Sequence, residues 1–452
     1  MNNILIKKGL DIQLKGAPSN KIKENTEIEK IKLHPSAIYG IKPKLACSVN
    51  DEVKIGTELF FDKVDPTVKF ISNCSGKIKN IKLGDRRAID EIEIENNNKN
   101  DHQKSYDNFT ASEITNIDQI ELINMLKESG YWSYIRQRPF SKIANSVNLP
   151  KSIFVSCFNT APHAVNLDLL LDNNKESFQA GINALCKVSS LNYIHLSISK
   201  KSNLEFYKSL YNVDLHCFDG PHPTGNVGIQ IHHIDPINVG ELVWYIDLQD
   251  LISIGNFLNQ GKIDNTKVIT LSGEPLSSPS HVKIIKGSVI NKIINEDLNT
   301  DNNRFLSGNV LTGKISSNKD GLGYYHSQVA VIPESNKREF LGWLMPGLNK
   351  YTFSNTYLSK LFSKKEWSLN TLVNGSYRSI IPFGYWEDVL PMDILPQYLI
   401  KSILAEDIEE MEGLGIYECD EEDFALCSFV CQSKIPVQHI IKDGLRLMES
   451  EG

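Results

Sequence analysis

The stretch SIFVSCFNTAPHAVNLDLLLDNNKESFQAGINALCKVSSLNYIHLSIS, residues 152–199, decides the fold. Two short apolar runs, SIFVSCF (152–158) and NYIHLSIS (192–199), have strand length, and ESFQAGINALCKV (176–188) between them has helical spacing. Strand, helix, strand at these lengths predicts a right-handed crossover and a parallel sheet. Upstream, Asp118 is placed to cap a helix with apolar positions Ile120, Ile123 and Leu126, ended by Gly130. Downstream, FDGPHPTGNVGIQIHHIDPINVGELVW (218–244) raises the question of a phosphate cradle or a metal site.

The 452 residues are too many for one core, and 41% hydrophobic with 23% charged residues is a globular composition rather than a disordered one. A net charge of −7 argues against a nucleic-acid partner. Ten acids fall within residues 406–423 (EDIEEMEGLGIYECDEED), which reads as a solvated face. The eight cysteines have no regular spacing, so a reducing compartment is expected rather than a disulfide framework. The start MNNILIKKGLDIQLKG has no apolar signal core, and no run of about eighteen apolar residues predicts a membrane span.

Four units are expected from this organisation. Residues 49–85 read as short strands that resemble the barrel-sandwich fold of biotinyl and lipoyl carriers, giving a carrier-like domain over 1–100. Its turn DKVDPTVK is long, and Lys63 and Lys69 lack the Met-Lys-Met setting of a modified lysine. A Rossmann-like parallel α/β domain is expected over 105–262, including a helical pattern over 238–260. A small β-grasp domain is expected over 265–335 and a mainly helical C-terminal domain over 336–452. The fold class is therefore α/β multidomain.

Three stretches invite chemistry. In 218–244, Val227, Ile229 and Ile231 alternate with Gly228, Gln230 and His232, which predicts an extended chain with His232 and His233 on opposite sides. That leaves no ligand set for a metal, and Pro221 and Pro223 remove amides that a phosphate would need. In GYWSYIRQRPFSK (130–142), Trp132, Tyr134, Arg136, Arg138 and Lys142 interleave rings and cations; such a mixture could clamp an anion or stack on a flat ring, and an interface is the preferred reading. Cys427 and Cys431 share a helical face as C-x3-C, read as buried structural cysteines.

The ordered motifs IKKGLDIQLKGAPS (6–19), RPFSKIA (138–144), FDGPHPTGNVG (218–228), SGNVLTG (307–313), LGWLMPG (341–347), VNGSYRSIIPFGYWEDVLPMDILP (373–396) and DEEDFALCSFVC (420–431) resemble the NqrA family, one of the subunit families of bacterial Na+-translocating NADH:quinone oxidoreductases, over essentially the whole chain. In domain order the chain also resembles, more distantly, the RnfC family and the NADH-binding subunit of complex I. The family pattern has a proline after the last cysteine of SFVC, where Gln432 stands here, and Cys419 lies outside it.

The resemblance implies a peripheral subunit on the cytoplasmic face of the bacterial inner membrane, within a six-subunit NADH:ubiquinone reductase that exports Na+. Its partners would be the other subunits, some membrane-embedded, and its share the ubisemiquinone-to-ubiquinol step with ubiquinone as substrate. No cofactor is expected on this chain: flavins and iron–sulfur centres belong to other subunits, and bulky side chains in 130–142 stand where the kin have a glycine-rich flavin-phosphate loop. Trp132, Arg136, Gly220 and His222 are the quinone-contact candidates. The competing expectations are an assembly scaffold without a quinone site, in which residues 130–142 and 406–423 dock other subunits, and an FMN-bearing NADH-oxidising subunit.

Overall fold

The computed structural model describes residues 2–171, 174–294, 298–335, 337–361 and 366–452. Strands Ser152–Ser156 and Ile194–Ser199 flank helix Lys175–Ser189 and pair in parallel, Phe154 opposite His195 and Ser156 opposite Ser197. They lie within a seven-stranded sheet ordered Asn2–Leu5, Val213–Asp219, Ile194–Ser199, Ser152–Ser156, Val243–Asp247, Arg136–Arg138, Lys142–Ile143. The first five strands run parallel, and Arg136–Arg138 is antiparallel to both its neighbours.

Two local readings change. Residues 238–260 are not one helical segment: Val243–Asp247 is a sheet strand, and Asp247 then caps helix Leu248–Gln260 by accepting from Gln249 N–H at 2.9 Å. A fully buried strand has no polar alternation to distinguish it from a buried helix, and only the capping carboxylate marks the change. Residues 227–234 form a helix rather than an extended strand. Val227 and Ile231, one turn apart, bury against Phe154, Val243 and Tyr245, whereas Ile229 enters the C-terminal core. Burial on two sides of one helix imitates the alternation of a strand. His232 and His233 are consequently about 100° apart around a helix, not on opposite faces.

The Asp118 cap forms as expected, accepting from Ile120 and Glu121 N–H groups of helix Gln119–Glu128, with Leu122 and Leu126 inward and Ile120 exposed. At the end of that helix Lys127 reaches Asp65 at 2.7 Å and Thr67 at 3.1 Å in the turn of the barrel-sandwich unit. Burial raises the Asp65 carboxyl, but the Lys127 and Thr67 bonds outweigh it and hold the group below its usual range. A carrier turn must swing between sites; this one is anchored, with Lys69 paired to Glu58 at 3.1 Å.

The barrel-sandwich strands form a four-stranded sheet (Lys30–Leu33, Ile89–Asn96, Gly76–Leu83, Glu52–Val53) against a three-stranded one (Pro43–Leu45, Glu58–Asp62, Lys69–Ile71). Their core is continuous with that of the α/β sheet. A six-stranded mixed sheet follows, ordered Lys314–Ser316, Asn303–Ser307, Gln328–Pro333, Thr266–Ser272, Ser280–Ile285, Ser19–Glu24, with helix Ile290–Ile294 on its own small core. The C-terminal helices Tyr385–Val389, Pro396–Leu404, Ile408–Gly413, Ala425–Val430 and Val437–Glu451 enclose a separate core that also takes in Ile12 and Leu14.

Helices Lys175–Ser189 and Leu248–Gln260 approach closely at two glycines. A Cβ on Gly255 would lie 1.7 Å from the Ser177 carbonyl oxygen, and one on Gly181 would lie 2.6 Å from that of Leu251. Gly255→Ala adds about 1 kcal/mol of helix propensity. The added methyl meets backbone, which cannot rotate aside, and overpacking costs about 1–3 kcal/mol, occasionally more. We expect the clash to win, so Gly255→Ala lowers the thermal unfolding midpoint; an unchanged or raised midpoint would show that the helix pair can separate freely.

Candidate functional site

The short strand Arg136–Arg138 sets the site. Alternation puts Arg136 and Arg138 on one face of the sheet, opposite Tyr245 and Val243 of the neighbouring strand. Arg138 is completely buried and donates from Nη1 to Asp423 Oδ2 at 2.9 Å and from Nη2 to Glu422 Oε1 at 2.8 Å; Asp420 Oδ2 lies 3.5 Å from the same nitrogen. Ser141 donates to Asp420. Asn226, just before the helix Val227–Ile234, donates to the Glu422 carbonyl and to Asp423 Oδ1. A Cβ on Gly228 would lie 2.1 Å from Asp423 Oδ2, so the glycine is what lets that carboxylate reach the helix N-terminus. Thus 136–138, 226–228 and 420–423, read separately in the sequence, meet at one ion cluster.

The acidic run is therefore not one solvated face. Residues 409, 410 and 412 are exposed, while Asp420 and Asp423 are buried against Arg138. Burial opposes the charge on Arg138, yet the Asp420, Asp423 and Glu422 carboxylates more than offset it and hold the guanidinium charged. The carboxylates respond differently. Burial pushes Asp423 up despite Arg138, whereas on Asp420 the Arg138 charge and the Ser141 bond outweigh burial and lower it. Burial, opposed by Arg138 and reinforced by Asp423 and Asp420, pushes Glu422 up to about 7.

Beside this cluster is a nest of rings and cations. Arg136 lies between Tyr245 and Tyr325, its guanidinium carbon 5.1 and 4.7 Å from their centroids. Tyr134 stacks on Tyr324 at 5.2 Å with a 9° interplanar angle, and the Lys286 ammonium sits 4.6 Å from the Tyr134 ring centre. Ser133 shares a 2.6 Å hydrogen bond with Tyr324, and Tyr325 donates to the Ser133 carbonyl at 2.9 Å. Burial lowers the Lys286 ammonium below its ordinary value. A flavin does not fit these residues: its ring system would have to displace the Tyr134–Tyr324 stack, and the 130–142 loop offers only Gly130, already packed on Ile71.

The four sequence candidates occupy different settings. Trp132 is fully enclosed, edge-on to Trp244 at 5.7 Å, with its indole N–H donating to Ala144 at 2.8 Å. Arg136 lies in the tyrosine nest. Gly220 is exposed, and a Cβ there would meet the Ile6 carbonyl oxygen at 2.5 Å. His222 is buried beside Thr160 (Nδ1 to Oγ1, 3.1 Å), and desolvation lowers its pKa to about 4, so the ring is neutral at physiological pH. His232 shares a 2.7 Å contact with Glu418 and accepts from the Asp393 N–H, while His233 bonds the Ile229 carbonyl. Lys142 pairs with Glu449. Cys427 and Cys431 are buried free thiols, with Cys427 directed at the Trp386 carbonyl and Cys431 accepting from the Ile435 N–H.

Sequence reasoning missed a surface cleft. It is a shallow depression between residues 380–387 (IIPFGYWE) and 430–433, lined by Phe383, Tyr385, Trp386, Gln397 and Ser433 among others. Its aromatic residues were legible, but the chain reversal that sets them opposite Val430–Ser433 was not.

Two outcomes follow for the ion cluster. Arg138→Ala strands the buried Asp420 and Asp423 carboxylates and should destabilise the fold by about 3–5 kcal/mol, read as loss of thermal or urea stability. The folded-state pKa of Glu422 is above the 4.5 of an unperturbed glutamate, so its protonated form stabilises the fold below that value. This contribution is lost as pH rises through about 7. Glu422→Gln should therefore flatten the decline of the unfolding midpoint between about pH 5 and 8 relative to the parent chain; identical slopes would mean that the carboxyl does not titrate there.

Three family descriptions match in order: the NqrA N-terminal barrel-sandwich hybrid domain over residues 4–97, the NqrA second alpha/beta domain over 117–263 and the NQRA C-terminal domain over 268–318. The NqrA subunit of the Na(+)-translocating NADH-quinone reductase of Vibrio vulnificus strain YJ016 is 36% identical over 450 residues, covering 99% of this chain and 100% of the relative. Its counterparts from Pasteurella multocida strain Pm70 and Haemophilus influenzae strain PittGG are each 35% identical, with the same coverage. Among solved structures, an air-oxidized NAD+-reducing nickel–iron hydrogenase aligns over 75% of this chain and 63% of its own at a TM-score of 0.39 and 10% identity, too distant a likeness to support inference. By three family matches and full-length identity above 30%, the chain belongs to the NqrA family of Na(+)-translocating NADH-quinone reductase subunits.

Proposed function

We propose that the chain acts as a peripheral quinone-side subunit of a Na+-translocating NADH:ubiquinone reductase, on the cytoplasmic face of the membrane. It would contribute to the step that completes ubiquinol formation while flavins and clusters reside on other subunits. The observation that carries this reading is similarity along 99% of the chain to proteins named for that activity. Among the described residues no helix is long and apolar enough to cross a membrane, so attachment would come through partners. The segment FLGWLM (340–345) supports this, with Phe340 at 87% and Trp343 at 72% exposure on the surface.

The 380–387 cleft is the better quinone slot on chemical grounds. A quinone needs a ring-sized apolar wall and one or two donors for its carbonyls. Phe383 and Tyr385 stack with centroids 6.0 Å apart at the cleft, with Gln397 and Ser433 in its lining. Trp132 and His222 are enclosed by their own contacts, and Arg136 is already flanked by two rings.

Titrating the purified chain with a short-chain ubiquinone analogue should quench tryptophan fluorescence saturably. Trp386→Phe should remove most of that signal, and Phe383→Ala should weaken binding several-fold. Loss of binding in His222→Ala or Arg136→Gln, with Phe383→Ala unaffected, would move the site to the sequence candidates. Absence of saturable binding would favour an assembly scaffold without a quinone site. A flavin absorption band at one equivalent per chain, with diaphorase activity, would instead make this the NADH-oxidising subunit. A Trp343→Glu, Leu344→Glu double variant should fold normally but fail to assemble with the other subunits; normal assembly would remove residues 340–345 from the docking surface.

A further inference from the structure

We propose that His195, Asp214 and His216 form a binding site for one divalent transition-metal ion of the zinc type. The site shares no residue with the ion cluster or the 380–387 cleft. His195 lies on strand Ile194–Ser199 directly opposite Asp214 of the parallel strand Val213–Asp219, and His216 is two residues further along. In-register neighbours and i, i+2 residues share a sheet face, so the three side chains project together.

Their donor atoms form a compact triangle. His195 Nδ1 lies 3.0 Å from His216 Nε2, Asp214 Oδ2 lies 3.2 Å from that nitrogen and 3.7 Å from His195 Nδ1. Zinc holds imidazole nitrogen and carboxylate oxygen at about 2.0–2.2 Å, and tetrahedral geometry then separates ligand atoms by about 3.3 Å. The observed edges bracket that spacing. Among the described residues, this is the group of three His, Cys, Asp or Glu side chains whose ligand atoms all lie within 4.8 Å of one another.

Proton accounting points the same way. His216 is 1% exposed, and its Nδ1 is buried without a hydrogen-bond partner. Its polar contacts therefore run through Nε2, towards a second imidazole and a carboxylate. Three lone-pair donors converge there, and a single N–H can serve only one of the other two well. An ion satisfies all three at once. The Phe154 ring stacks on His195 at 4.8 Å and fixes the imidazole plane. The Asp214 side chain, 42% exposed, opens the site to solvent and leaves a position for water. Two imidazoles and one carboxylate suit zinc, cobalt or iron in the divalent state.

The test uses the full chain stripped with a chelator. Zn2+ is titrated back in competition with a chromophoric chelator, and Co2+ binding is followed by visible absorption. One equivalent should bind, raise the thermal unfolding midpoint and, with Co2+, give the intense bands of a four-coordinate site. Asp214→Asn and His195→Gln should each weaken Zn2+ binding at least tenfold and abolish the thermal shift. Asp214 is half-exposed, so its asparagine variant decides the matter if His195→Gln fails to fold, with circular dichroism as the check. Absence of one-equivalent uptake overturns the proposal. So does uptake unchanged in Asp214→Asn, which would place the ion elsewhere, as at the exposed His439–Asp443 pair on the C-terminal helix.

Discussion

A single buried guanidinium facing three carboxylates is the constraint on which the remaining architecture depends. Arg138 is removed from water, and the desolvation of such a charge is repaid only when partners surround it in good geometry. Those partners come from the far end of the chain, residues 420–423, and Asn226 and Gly228 brace them through Asp423. The sheet, the loop after Val213–Asp219 and the C-terminal helices must therefore all be in place before any of these charges is satisfied. The cluster carries more carboxylates than cations, so it specifies an arrangement more than it contributes stability.

The tyrosine nest beside it is packed from within. Tyr134 stacks on Tyr324 and meets Tyr131 and Tyr325 at an angle, Arg136 lies between Tyr245 and Tyr325, and Lys286 sits over Tyr134, so these aromatic and cationic groups hold each other. On the C-terminal side, Phe383, Tyr385 and Trp386 line a surface cleft. The barrel-sandwich turn is anchored in a comparable way by Lys127, and both features favour a rigid support over a moving carrier.

The crossover in 152–199, the Asp118 cap and the barrel-sandwich unit were legible because each is written in local periodicity and capping chemistry. Helix 227–234 and strand 243–247 were not, because both are buried on more than one side and lose the polar positions that reveal their period. Arg138 was visible as a cation among aromatics, but its partners lie about 285 residues away, beyond any local pattern. The His195, Asp214 and His216 triad depends on strand register, which no spacing in the sequence encodes.

The first 25 residues do not settle in one unit. Asn2–Leu5 is an edge strand on Val213–Asp219, Leu10 donates its N–H to the His222 carbonyl, Lys15 to that of Trp367, and Ser19–Glu24 completes the sheet on Ser280–Ile285. The partners of this leading segment therefore lie far along the chain, whereas the barrel-sandwich strands pair with strands much nearer in sequence. Contacts of such long sequence separation raise the contact order, and folds rich in them tend to close slowly.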